Sequence, residues 1–236
     1  YRKAFEYSDC WVEDSRLVIL NAKDAAMLGA KIHVNTNVTS ARRENGLWRV
    51  ETKNLATNER EVFLSKVLIN AGGPWVSDLL LNVLRVNSSE KVRLVRGSHI
   101  VVSKMWSHEK SYFFQGNDGR IIFAIPYETD FTLIGTTDID HLDINEKPKC
   151  TELEKNYLIN FANQYFESEL KVEDIVWTYS GVRPLQDTSE DNATSVTRDY
   201  SIKVNWEEGV PLINVFGGKI TTYRKLAESV MDEVGL

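Results

Sequence analysis

A chain of 236 residues, 42% of them hydrophobic, is long enough for one large domain or two small ones around a sizeable core. Its formal charge of -6, from 28 basic against 34 acidic residues, argues against a nucleic-acid surface, and Arg42-Arg43 is too short a run to reverse that. Its two cysteines, Cys10 and Cys150, lie far apart without C-x-x-C or His spacing, so no metal site or disulfide framework is expected, and no apolar run approaches the roughly 20 residues needed to cross a bilayer.

In chain order, residues 16–28 carry helix-like apolar spacing (Leu17, Leu20, Ala25, Met27, Leu28), and Gly29 follows as a C-cap. Residues 31–34, 38–43, 47–52 and 61–64 read as short strands, with Asn45-Gly46 a hairpin turn between the second and third. Residues 66–71 read as a short buried strand, which Gly72-Gly73-Pro74-Trp75 breaks before an amphipathic segment, 76–84. Residues 92–102, 111–115, 120–125 and 131–134 are then a run of strands joined by turn signals at Asn117-Asp-Gly119 and Glu128-Thr-Asp130. That run is the mark of an antiparallel sheet. Residues 151–165 read as a helix with Thr151 as N-cap and Glu154 near the capping-box position, and 175–182 return as strand. A polar loop, 186–192, leads to 194–204, and the chain closes with an apolar strand, 210–216, the turn Gly217-Gly218-Lys219 and a helix, 223–234. The fold class is mixed α/β.

The two strand-to-glycine turns share one logic. Glycine has no Cβ to hold a ligand away from the backbone, and a helix start carries partial positive charge. A plain strand-to-helix turn is the bland alternative for each. Together they favour strand ends that meet one extended cofactor at a sheet edge. Neither is a P-loop, since the G-x-x-x-x-G-K-[ST] spacing is missing.

Ordered blocks along nearly the whole chain resemble the bacterial FAD-dependent, respiratory glycerol-3-phosphate dehydrogenases. They include Ala4-Phe-Glu-Tyr-Ser-Asp-Cys10, Asn70-Ala-Gly-Gly-Pro-Trp75, Arg96-Gly-Ser-His-Ile-Val-Val102, Ile134-Gly-Thr-Thr-Asp138, Val176-Trp-Thr-Tyr-Ser-Gly-Val-Arg-Pro184, Thr197-Arg-Asp-Tyr200 and Phe216-Gly-Gly-Lys-Ile-Thr-Thr-Tyr-Arg-Lys225. One departure is Gly72, where the family commonly has Thr: the tight turn is kept and a hydroxyl is lost. The family's G-x-G-x-x-G turn for the FAD pyrophosphate has no counterpart in the chain, so an internal fragment is expected.

The resemblance implies a two-layer FAD-dependent oxidoreductase architecture. Its expected divisions are a partial FAD-binding domain (1–90), an antiparallel substrate-binding domain (91–185) and a return to the FAD-binding domain (186–236). It implies FAD contacts at Val38, Asn70, Ala71, Gly72, Gly73, Trp75, Gly217, Gly218, Lys219, Ile220 and Thr221. It implies substrate or phosphate contacts at Arg183, Arg198 and Lys219, where Arg suits a phosphate dianion through paired N–H donors. Arg183 is read at the end of a strand. A surface salt bridge, for instance Arg198 with Asp199 or Asp191, is the alternative. His99 is the candidate base by residue type, or else a packed residue bonded to backbone or flavin edge. His33, His108 and His141 look structural or exposed. The polar turn Gly135-Thr136-Thr137-Asp138 is open between a site role and side chains bonding their own backbone.

The activity implied is oxidation of glycerol 3-phosphate to dihydroxyacetone phosphate, with electrons passed to a membrane quinone. The implied protein is cytoplasmic, peripheral to the membrane, possibly a homodimer, with no nucleic-acid partner. A related flavin amine or amino-acid oxidase and a non-catalytic folded fragment are the other readings.

Overall fold

The computed structural model describes residues 3–87, 92–186, 199–207 and 209–235. The first sheet follows from alternation. In β2 (Leu47–Asn54) the buried residues Trp48, Val50 and Thr52 alternate with partly exposed neighbours, the period of a strand with one covered face. It lies between β1 (Thr36–Glu44) and β3 (Arg60–Ser65), antiparallel to both. Asn45 and Gly46 have φ of 54° and 72°, the paired positive angles of a two-residue hairpin turn. Residues 31–34, expected as a strand, are irregular and end in a turn. Their β-branched residues give strand propensity, but the sheet order β1-β2-β3 leaves them no partner among the described residues.

The second sheet has the order β10-β5-β8-β7-β6, formed by β5 (Val92–Ser103), β6 (Tyr112–Gln115), β7 (Ile121–Tyr127), β8 (Phe131–Gly135) and β10 (Ile175–Gln186), with β9 (Ile139–Asp140) paired to β5. All its pairings are antiparallel. Ile100, Val102, Ile122, Ala124 and Ile134 project from one face onto Leu158, Ile159, Phe161 and Ala162 of α3 (Glu152–Ala162). Leu158 is fully buried, and burying such a side chain contributes about 1.5–3 kcal/mol. Helix α3 starts at the expected capping box, Thr151 Oγ1 accepting from Glu154 N–H while Glu154 accepts from Thr151 N–H.

The third sheet places β12 (Val210–Gly217) between β11 (Tyr200–Glu207), antiparallel, and β4 (Leu68–Asn70), parallel. The unbroken burial of Val210 through Phe216 is that of a central strand. β4 is an edge strand instead, shorter than the expected 66–71 and with Ile69 41% exposed. Val230, Leu226 and Val234 of α4 (Tyr223–Val234) cover one face through Ile213 and Val215.

Expected as one helix, 76–84 is composite: a 3-10 turn (Gly73–Trp75), α2 (Val76–Asp78) and a π-helical turn (Leu79–Leu84). Pro74 sets the entry and Arg85, at φ 56°, stops it. Val76 and Leu80 still meet Trp48 and Phe216 in the core shared by the first and third sheets. Arg43 ties those sheets together by stacking on Trp48 and donating to Glu207, Asn205 and the Val210 carbonyl. Helix α1 (Asp14–Met27) ends as expected before Gly29 at φ 101°, but none of its residues is buried among the described residues.

Candidate functional site

The parallel register Leu68 with Leu212, Ile69 with Ile213 and Asn70 with Asn214 ends β4 and β12 at the same edge of the third sheet. Both glycine turns therefore leave from one place. Asn70 holds them: its Nδ2 donates to Asn214 Oδ1 (3.1 Å) and to the Val76 carbonyl (3.1 Å), and its Oδ1 accepts from Gly72 N–H (3.3 Å). Gly217 has φ 73°, and a Cβ there would stand 2.6 Å from the Asp199 carbonyl, so only glycine fits. Asn70, Ala71, Gly72 and Gly73 thus lie beside Gly217 and Gly218, and Lys219, Ile220 and Thr221 lead on, exposed, into α4. Trp75, 51% exposed, closes the 3-10 turn after Gly73. Gly72 occupies a position where a Cβ would meet Leu79 Cδ1 at 2.5 Å, so Leu79 fills the space a larger residue would take. Val38 sits elsewhere, at an irregularity in β1 of the first sheet.

The second sheet presents its other face on this side. Cross-strand pairing aligns His99 with Tyr179 and with Gly135, Gly97 with Gly181, and Val95 with Arg183. Directly opposed residues share a face, so His99, Tyr179, Gly97 and Arg183 stand together, opposite to the face that packs on α3. Arg183 is not at a strand end, since β10 continues to Gln186. Pro184 is tolerated because β10 is an edge strand, where a missing N–H breaks no essential ladder.

Arg183 lies across Gly97, where a Cβ would be 2.8 Å from its Cζ. Its Nη2 donates to Thr136 Oγ1 (2.8 Å) and its Nη1 pairs with Asp138. The backbone of Pro184 then approaches Gly217, which joins this face to the second glycine turn.

His99 stacks on Tyr179 with ring centroids 4.9 Å apart and planes 11° from parallel. Gly135 makes room for the ring: a Cβ there would lie 2.7 Å from its Cγ. Burial first, and then the Arg183 charge, lower the His99 pKa to about 4, so the imidazole is neutral at physiological pH. Its Nδ1 is buried without a hydrogen-bond partner. Burial, followed by the Asp14 carboxylate, pushes the Tyr179 phenol up to about 12. Beyond Tyr179 opens a cavity of about 1160 Å³, lined by Trp11, Asp14, Ile125, Tyr127, Trp177 and Tyr179 among others.

The structure thus brings together His99, Arg183 and the two glycine turns. Arg198 lies outside the described residues, as do Asp191, residues 187–192 of the polar loop and 194–198 of the expected 194–204 segment, while Lys219 is exposed. The other histidines serve structure: His141 is buried on the Glu146 carbonyl, His108 contacts Tyr112, and His33 faces Glu61. Sequence reasoning missed Tyr179 and the partners of Arg183. The first was marked by period-2 spacing, since Trp177, Tyr179 and Arg183 alternate onto one face. In the turn 135–138, Thr136 Oγ1 donates to the Thr137 carbonyl, while Thr136 Oγ1, Asp138 and the Thr137 carbonyl accept from Arg183. Among the described residues no His, Cys, Asp and Glu cluster could hold a metal ion.

Comparison with known proteins follows the same lines. The chain is 52% identical over 231 residues to the D-erythritol 1-phosphate dehydrogenase of Brucella abortus (98% of this chain, 46% of that protein). It is 44% identical over 234 residues to the aerobic glycerol-3-phosphate dehydrogenase of Escherichia coli (99% and 47%). Among solved structures, the glycerol-3-phosphate dehydrogenase from Bacillus halodurans complexed with FAD is 30% identical at a TM-score of 0.78, covering 93% of this chain and 42% of that one. The chain spans about half the length of the curated relatives it matches. The pattern of the FAD dependent oxidoreductases matches residues 1–223, and the chain belongs to that family.

Proposed function

We propose that the full-length protein oxidises a polyol phosphate, glycerol 3-phosphate, at its C2 hydroxyl to the ketone, dihydroxyacetone phosphate. One observation carries the reading: an arginine suited to a phosphate and a neutral imidazole whose Nδ1 has no hydrogen-bond partner share the open face of the second sheet, next to two glycine turns. The turns fit a flat ring system, because Gly217 and Gly218, at φ of 73° and 104°, leave the backbone bare where side chains would stand. Bound FAD supplies an acceptor for the hydride of C2.

The chain's own residues do the rest. The Arg183 guanidinium carries five N–H donors, and its bonds to Thr136 and Asp138 leave others for phosphate oxygens. Lys219, and Arg198 by resemblance, add charge for the same dianion. His99, neutral and half-buried, accepts the hydroxyl proton as hydride departs. The same reading divides the chain into flavin-binding parts (1–90 and 186–236) and a substrate part (91–185). The shared sheet of β4, β11 and β12 supports that division.

The reading extends to a membrane quinone as electron acceptor and to a cytoplasmic, peripheral and homodimeric protein. No helix among the described residues is long and apolar enough to cross a membrane. A second reading, a four-carbon polyol phosphate as substrate, is favoured by the higher identity to the erythritol phosphate enzyme, 52% against 44%.

The test is the visible spectrum of the anaerobic full-length protein. Bleaching of the flavin band by glycerol 3-phosphate, but not by glycerol, is expected. Faster bleaching by D-erythritol 1-phosphate moves the assignment to the second reading. Bleaching by neither phosphate refutes both. Reoxidation of the bleached protein by a soluble quinone checks the acceptor.

A further inference from the structure

Glu154 is a densely connected buried charge. It is 3% exposed, and its two carboxylate oxygens divide their labour. Oε2 accepts from Thr151 N–H (3.0 Å) and Oγ1 (2.8 Å), closing the cap of α3, and from Arg96 Nη2 (2.9 Å). Oε1 accepts from Ser98 Oγ (2.7 Å) and Thr137 Oγ1 (2.8 Å), in the strand and the turn that carry the candidate site. A capping-box glutamate needs only the first set. Thr137, 1% exposed, also accepts from Ser98 N–H (2.9 Å), so its hydroxyl is fixed from both sides. Its immediate neighbours in the chain, Thr136 and Asp138, supply the side chains that hold the Arg183 guanidinium, and the Thr137 carbonyl itself accepts from Arg183 Nη2 at 3.5 Å.

We propose that Glu154 is a positioning residue for phosphate recognition: anchored at the start of α3, it fixes Thr137, and Thr137 sets the turn that aims Arg183. The inference rests on the reading of Arg183 as the phosphate contact. The chemistry favours rigidity at this point. Burial would raise the Glu154 pKa, yet the bonds from Thr151, Ser98 and Thr137 outweigh it and hold the group at about 2, so its charge persists at any working pH. An arginine held by partners at fixed positions loses less freedom on meeting a dianion than one that must be ordered by the ligand.

The experiment uses the full-length flavoprotein with glycerol 3-phosphate. Thr137→Val removes the hydroxyl at nearly constant shape and leaves the α3 cap and the Arg96 pair untouched, while Thr137→Ser retains it. Glu154→Gln tests the anchor itself. Each is made alone and with Arg183→Ala, and KM, kcat, the calorimetric Kd for glycerol 3-phosphate and the thermal midpoint are measured. The expected result is a tenfold or greater rise in KM and Kd for Thr137→Val and Glu154→Gln, with kcat within threefold. Thr137→Ser should stay near wild type, and neither substitution should add more than twofold once Arg183 is alanine. A lowered thermal midpoint with unchanged KM and Kd overturns the inference and leaves Glu154 purely structural. So does an effect that persists in full on the Arg183→Ala background. If Arg183→Ala alone leaves KM and Kd unchanged, the phosphate reading itself has failed, and this inference falls with it.

Discussion

Replacing Gly135 by alanine tests the candidate site without touching any group assigned to the chemistry. The register sets His99 opposite Gly135, and Tyr179 stacks on the ring from β10. A Cβ at 135 would come within 2.7 Å of His99 Cγ and 2.8 Å of its Nε2, against at least 3.4 Å for ordinary contact. The ring cannot slide along its own plane without giving up the Tyr179 stack, and it cannot keep its place. Packed interiors do not absorb such an overlap for free: the expected stability cost is about 1–3 kcal/mol. A base displaced by several tenths of an ångström or more loses its alignment with the hydroxyl, and we expect kcat to fall on the order of 10–100-fold, about 1.4–2.7 kcal/mol. The assay is anaerobic flavin reduction by glycerol 3-phosphate in the full-length protein, with wild type, Gly135→Ala, His99→Ala and the double variant. Because His99→Ala empties the space that the new methyl needs, the double variant should be no slower than His99→Ala and more stable than Gly135→Ala. If Gly135→Ala reduces flavin within threefold of wild type, His99 has no positional role and the base must be sought elsewhere.

Arg183→Ala should lower kcat/KM for glycerol 3-phosphate by about 2–4 kcal/mol, roughly 30- to 1000-fold, with Lys recovering only part because it restores charge without the fork. It also strips Asp138, which is 10% exposed, of an ionic partner, so adding Asp138→Asn should return stability in urea titrations but not activity. Gly217→Ala forces a side chain into φ 73° against the Asp199 carbonyl, and we expect a loss of about 1–3 kcal/mol together with a lower flavin-to-protein absorbance ratio. A full flavin complement would show that this turn does not meet the cofactor. For pH, His99 is depressed from 6.5 to about 4 and Glu154 from 4.5 to about 2. In both cases the unfolded chain binds the proton more tightly, so the stability is present above the unfolded values. It is lost in two windows as pH falls, from 6.5 to 4 for His99 and from 4.5 to 2 for Glu154. Each loss is at most about 3 kcal/mol. Denaturant midpoints across pH 4–7 should slope for wild type and flatten for His99→Gln, and equal slopes would refute a buried neutral histidine.

Local chemistry made much of the fold legible. Asn45-Gly46 and Asn117-Asp-Gly119 mark hairpin turns because positive φ is open to those residues at little cost, and the capping box at Thr151 and Glu154 is a reciprocal hydrogen bond written three residues apart. What failed was whatever depended on a distant partner. Residues 31–34 have strand propensity but no strand to pair with among the described residues, and the edge position of β4 was hidden because burial of a three-residue strand depends on its neighbours. Propensity describes a residue, whereas a strand exists only with its pair.

The candidate site divides along the same line. Glycines before a helix are visible in one dimension, the family pattern named Arg183, and residue type named His99. The features that give those side chains their chemistry come from other strands. Gly97 opens the bed for Arg183 from β5, Asp138 reaches it across the sheet, and Gly135 and Tyr179 hold the His99 ring from β8 and β10. The lowered pKa of His99 is a case in point: its causes, burial and the Arg183 charge, are set by register and not by sequence neighbours. A histidine between Ser98 and Ile100 could as well have been a solvated switch titrating near 6.5. Pairing β5 with β8 and β10 turns it into a half-buried acceptor, and that pairing is therefore where the proposed function is encoded.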